Sequence, residues 1–177
     1  GVANAWMREV VSFPPPENQG SSHVASFGVR LRDSRSITLE RVRFSHPQYG
    51  GKGGNGYMFD IRDTGESLLR DCHAAFSRHG FSISGMAAAG NVLHACTDSD
   101  TARYTGGAKR EEPLLISSGA GSDYHMFFAH ANLVDSCTFP NSRFSAVFRP
   151  FGDGALHAQA ARFCVFWNIR GEGTPSW

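Results

Sequence analysis

No apolar run in this 177-residue chain reaches the ~18 residues that a membrane-spanning helix needs, so no membrane partner is expected. A charge excess of either sign is also missing. The 17 Lys plus Arg nearly cancel the 16 Asp plus Glu, which argues against a nucleic-acid module, whose footprint is a basic excess or stripe. No CxxC pair and no Cys/His pair has the spacing of a structural zinc site. No GxSxG elbow supports a serine nucleophile. The run Gly50-Gly51-Lys52-Gly53-Gly54 lacks the GxxxxGK[ST] spacing of a phosphate loop. Helical periodicity is scarce as well. Only Leu68–Ala75 and Leu156–Arg162 compete as helices, and both also fit a strand pattern.

What is present is a repeat. Met7-Arg8-Glu9-Val10, Leu39-Glu40-Arg41-Val42, Leu69-Arg70-Asp71-Cys72, Leu93-His94-Ala95-Cys96 and Val134-Asp135-Ser136-Cys137 share one grammar. Each reads apolar, polar, small or polar, then a small apolar residue. Ala161-Arg162-Phe163-Cys164 fits it more loosely. Recurrence of this kind marks stacked coils, with unequal loops inserted between them. Around each mark the local period is two. Ile37 and Leu39 alternate with polar neighbours, Glu40-Arg41 interrupts, and Val42 and Phe44 resume. That pattern places two short strands on either side of a bend.

Further strand signals lie at Phe27–Leu31, Tyr57–Ile61, Phe81–Ile83, His125–Phe128 and Phe144–Phe148. Gly90-Asn91 and Ala131-Asn132 read as turns, with Asn suited to left-handed backbone angles. The expected fold is all-β, a right-handed parallel β-helix of about six coils in a single domain over residues 1–177. A β-sandwich or jelly roll is the competing architecture. In the solenoid reading the four cysteines occupy one inward position and stack as free thiols. The first repeat starts almost at once, with no initiator Met, signal peptide or capping element before it. A fragment, a processed form, or a chain whose open ends are covered by further chains is therefore expected.

Candidate chemistry gathers in three places. The first is Ser122–Asn132, where Asp123, His125 and His130 supply an acid/base pair or a metal set, with Asp123 the candidate metal ligand and Tyr124 beside it. The second holds Arg143, Arg149, Asp153 and His157, and arginine is suited to gripping a carboxylate through two bonds. The third is Arg78-His79, just before a strand that register would bring near His125. A line of His and Arg fits β-elimination of a uronate: one cation neutralises the carboxylate and one base removes the adjacent proton. The expected catalytic residues are His125, His130, His79 and Arg149. Arg143, Arg78, Tyr124, Asp153, His157 and Tyr49 are expected to bind substrate. A hydrolase needs two facing carboxylates. Asp60, Asp63, Asp98, Asp100, Asp123 and Asp153 are available, and none forms an evident doublet; Thr97-Asp98-Ser99-Asp100 reads as turn chemistry.

Gly80-Phe81-Ser82-Ile83-Ser84 leading into Gly90–Cys96, Ser122–His125 leading into Asn132–Cys137, and Val165-Phe166-Trp167-Asn168 together resemble the pectate-lyase-like right-handed parallel β-helix superfamily, common among bacterial secreted proteins. The resemblance spans most of the chain as repeat grammar. It implies an extended polysaccharide partner lying along the coil axis, and a secreted or surface location. It leaves open a lyase, a hydrolase or a non-catalytic glycan-binding segment of a larger assembly. Neither the calcium aspartates of pectate lyases nor the aspartate set of polygalacturonases is matched residue by residue. A His/Arg site acting on an acidic glycan is thus the leading expectation, with calcium as the cofactor left open.

Overall fold

Local alternation of apolar and polar residues commits most of this chain to strands, and the computed structural model shows a nearly all-β protein. It describes residues 1–16, 22–48, 55–101, 120–146, 157 and 160–172. Strand β1 (Ala3–Arg8) comes first. A group of three follows: β2 (Phe27–Arg32), β3 (Arg35–Glu40) and β4 (Arg43–Ser45). The next two groups are β5 (Tyr57–Arg62), β6 (Leu68–Arg70), β7 (His73–Ala75), and β8 (His79–Ser84), β9 (Val92–His94), β10 (Thr97–Ser99). The last two have four members each: β11 (Ser122–Tyr124), β12 (Ala129–His130), β13 (Leu133–Asp135), β14 (Thr138–Pro140), then β15 (Phe144–Ser145), β16 (Ala161–Arg162), β17 (Val165–Trp167), β18 (Arg170–Glu172).

Equivalent members of successive groups pair in parallel. The first sheet runs β1-β3-β6-β9-β13-β17, the second β4-β7-β10-β14-β18 and the third β2-β5-β8-β11-β15, with β12-β16 as a short fourth. Leu68–Ala75 therefore forms two strands and no helix.

The corners explain how so few residues turn the chain. Glu9, Arg41, Asp71, Ala95, Ser136 and Asn168 all adopt φ between +50° and +57°. Each non-glycine residue in that region costs about 1–2 kcal/mol. A regular ladder offsets it, because the amide of each corner donates to the carbonyl one strand onward: Glu9 to Glu40, Arg41 to Arg70, Asp71 to His94, Ala95 to Asp135 and Ser136 to Trp167, at 2.9–3.1 Å.

Side chains at equivalent positions stack inside. Leu39, Leu69, Leu93 and Val134 are buried, and the Phe59 and Phe81 rings stack 4.7 Å apart. Val42, Cys72, Cys96 and Cys137 form the expected column, with Val10, 38% exposed, at its end. All four cysteines are free.

Three expectations need correction. Asp135 pairs with Trp167 and Thr138 with Arg170, so the partner of Cys137 is Ile169. Cys164 instead falls beside Asn132, whose Nδ2 lies 3.9 Å from its sulfur. The sixth repeat mark is thus Phe166-Trp167-Asn168-Ile169, and the cysteine in Ala161–Cys164 attracted the alignment to the wrong corner. The left-handed residues of the other turn are Gly90 and Ala131. Asn91 and Asn132 follow them as a buried amide ladder, with Asn91 N and Nδ2 both donating to Asn132 Oδ1 at 2.9 and 3.0 Å. Finally, the strand expected at His125–Phe128 is Ser122–Tyr124, because Phe127 and Phe128 take φ of +60° and +63° and turn the chain.

Candidate functional site

The third sheet positions the site. Phe59, Ile61, Phe81, Ile83 and Tyr124 belong to the apolar core. Alternation sends Asp60, Ser82 and Asp123 to the opposite face, where register aligns them across β5, β8 and β11. At the start of the same strands Phe27, Tyr57 and His79 stack as a ring column, with centroids 5.6 and 4.5 Å apart.

His125, one residue beyond β11, completes the group. Its Nδ1 lies 2.8 Å from Asp123 Oδ2, and its Nε2 lies 3.2 Å from the Tyr57 hydroxyl. A ring that donates from Nδ1 to the carboxylate accepts the phenol proton at Nε2. Burial, followed by the Asp123 charge, pushes the Tyr57 hydroxyl above its ordinary range, which keeps it a donor. Arg78 Nη1 is 3.4 Å from the same hydroxyl, and the guanidinium sits 5.7 Å from the Tyr57 ring centroid. The result is a chain from carboxylate to imidazole to phenol to guanidinium.

His79 is fully buried, and its ring meets that of His125 edge-on at 5.0 Å. Its Nδ1 donates to the Gly121 carbonyl at 2.8 Å and lies 3.6 Å from Asp123 Oδ2. Burial lowers its pKa to about 3 despite the carboxylate. His79 is therefore neutral at physiological pH, and the 3.6 Å approach is not an ion pair. Gly121 has φ of +115°, and a Cβ there would come within 2.5 Å of Arg143 Cγ, so only glycine presents this carbonyl.

The structure brings together His79, Asp123, His125 and Arg78. His157 joins them, its ring 5.6 Å from that of His125. His130 stands apart on β12, paired with Arg162 of β16. Tyr124 points into the core against Phe144 and Phe166. Arg143 is buried and donates from Nε to the Ala120 carbonyl at 2.5 Å. Tyr49, Arg149 and Asp153 lie outside the described residues.

Sequence reasoning missed one group and misplaced another. Tyr57 occupies the position of His79 one strand earlier, and aligning those two strands would have exposed it. Asp98 is no turn residue: it lies on β10 with no exposure. Its carboxylate accepts Ser122 Oγ and Ser142 Oγ, each at 2.7 Å, and also Thr101 Oγ1. Burial raises its pKa to about 6, against the pull of those hydroxyls. It ties the second sheet to the third, since Ser122 Oγ also accepts the Phe81 amide at 2.9 Å.

No protein-family model, curated protein or solved structure matches the chain.

Proposed function

We propose that this chain is a right-handed parallel β-helix of about six coils that cleaves an acidic, uronate-containing polysaccharide by β-elimination. The handedness rests on the strong preference of parallel crossovers for the right-handed path. One observation carries the chemistry: the hydrogen-bonded sequence Asp123, His125, Tyr57, with Arg78 beside the phenol. A base held by an orienting carboxylate and touching a proton donor is the arrangement general acid–base catalysis requires.

In this reading Arg78 neutralises the uronate carboxylate and makes the adjacent C–H bond more acidic. His125 Nε2 takes that proton. The electron pair forms the ring double bond and expels the glycosidic oxygen, which Tyr57 protonates. His125 then returns its proton to the Tyr57 oxygen through the bond they already share. The products are an unsaturated uronate end and a new hydroxyl end, with no water consumed. His79 stacks on Tyr57 and fixes the phenol. The natural setting of such an activity is the cell exterior, and calcium is not required by any of these steps.

Polygalacturonate, alginate and glucuronan, each incubated with the chelator-treated protein, test this. Release of ultraviolet-absorbing unsaturated uronate is expected, and His125→Ala and Tyr57→Phe should each lower it by about 10²- to 10⁴-fold. Reducing ends without that absorbance would instead favour hydrolysis. Asp60 and Asp123 are the observation behind that second reading. They align two strands apart, about 10 Å, near the carboxylate separation of inverting glycosidases. Asp60 is held by Arg30 at 2.6 Å, which weighs against it. Binding without any product, unchanged in His125→Ala, would leave a glycan-binding segment.

A further inference from the structure

The same group of side chains has a capacity that sugar cleavage does not use. We propose that His79, Asp123 and His125 form a binding site for one divalent transition-metal ion of the zinc class. Each offers one ligand atom, and these atoms lie within 4.8 Å of one another. The three residues are 0%, 2% and 8% exposed, so this is no solvated surface cluster. Two imidazole nitrogens with one carboxylate oxygen suit zinc, cobalt or nickel. Calcium prefers six to eight oxygens, and the set does not supply them.

A second observation points to a ligand independently of that clustering. His79 donates from Nδ1 to the Gly121 carbonyl, so its lone pair resides on Nε2. That nitrogen is buried and has no hydrogen-bond partner among the described residues. A buried polar atom left without a partner costs about 1–3 kcal/mol, and a metal ion would satisfy it. The contact to Gly121 is also the outer-shell bond that orients ligating imidazoles. His79 and Asp123 stand on adjacent strands of one sheet, which holds them rigidly. Three protein ligands leave one coordination position open.

This site does not depend on the polysaccharide reading. An ion held jointly by Asp123 and His125 takes the place of the proton between His125 Nδ1 and Asp123 Oδ2, so loading removes the hydrogen bond that orients the base for elimination.

The test uses the full chain, stripped with chelator and dialysed, then titrated with Zn²⁺ by calorimetry and with Co²⁺ by visible absorption. One ion per chain is expected, with an intense tetrahedral cobalt spectrum and a raised melting temperature. Asp123→Asn, His125→Gln and His79→Gln should each weaken binding at least about 100-fold, since even outer-shell losses reach that scale. His130→Gln, outside the cluster, should leave it unchanged. Far-UV circular dichroism identifies variants that fail to fold. His125→Gln, the most exposed of the three positions, together with the wild-type cobalt spectrum decides the matter if the others do. Sub-stoichiometric binding, an octahedral cobalt spectrum, or affinity that survives His125→Gln would overturn the proposal.

Discussion

Two buried ionisable groups should give this fold an unusual dependence on pH. Asp98 moves from 3.8 to about 6 on folding, and His79 moves from 6.5 to about 3. Between those values the folded state holds a proton on Asp98 that the unfolded chain has lost. The Asp98 contribution is therefore full below pH ~4 and declines as pH rises through 6. For His79 the unfolded chain takes a proton that the folded state refuses. Its contribution is full above pH ~6.5 and declines as pH falls towards 3. Each slope is about 1.4 kcal/mol per pH unit, so from pH 4 to 6 each amounts to about 3 kcal/mol, with opposite sign. Within that window the two cancel.

Asp98→Asn should break the cancellation. Relative to wild type, its stability should climb by about 3 kcal/mol between pH 4 and 6. His79→Gln should instead fall by a similar amount over the same range. The measurement is urea unfolding of chelator-treated protein at half-unit pH steps, compared as slopes, so that any constant cost of each substitution drops out. Parallel curves for Asp98→Asn and wild type from pH 4 to 6 would refute the reasoning, as would a slope of the same sign in both variants.

The thiol column makes a separate prediction. Cys72, Cys96 and Cys137 are at most 1% exposed while Cys164 is half-buried, so a thiol reagent should label Cys164 alone in the native protein and all four cysteines in denaturant. Rapid native labelling of more than one thiol would contradict the strand register that buries the other three. Asn132→Ala should cost about 2–3 kcal/mol in urea unfolding, because it strips two buried Asn91 donors of their acceptor and the Ala88 carbonyl of one of its two donors. A loss below about 0.5 kcal/mol would show that the amide ladder is dispensable.

Much of the architecture was legible because period-two alternation and recurring corners are local properties. Leu39, Leu69, Leu93 and Val134 announced their shared position without coordinates, and the first sheet stacks them as that pattern requires. The column of small residues was readable through Cys137 for the same reason. It failed at Cys164, since residue identity misled where only hydrogen-bond register could decide between two left-handed corners, Phe163 and Asn168.

The site divides in the same way. That His79 lies near His125 followed from strand register, and the sequence suggested as much. That Tyr57 joins them, that Tyr124 turns inward and that Asp98 is buried depended on which face each strand presents. The offset between β5 and β8 stays constant along the pair, yet the consecutive residues Met58 and Phe59 are both core residues. Strict alternation would have placed Tyr57 with Phe59. One irregular step in a strand is invisible to a pattern of hydrophobicity, yet it decides which side chains meet.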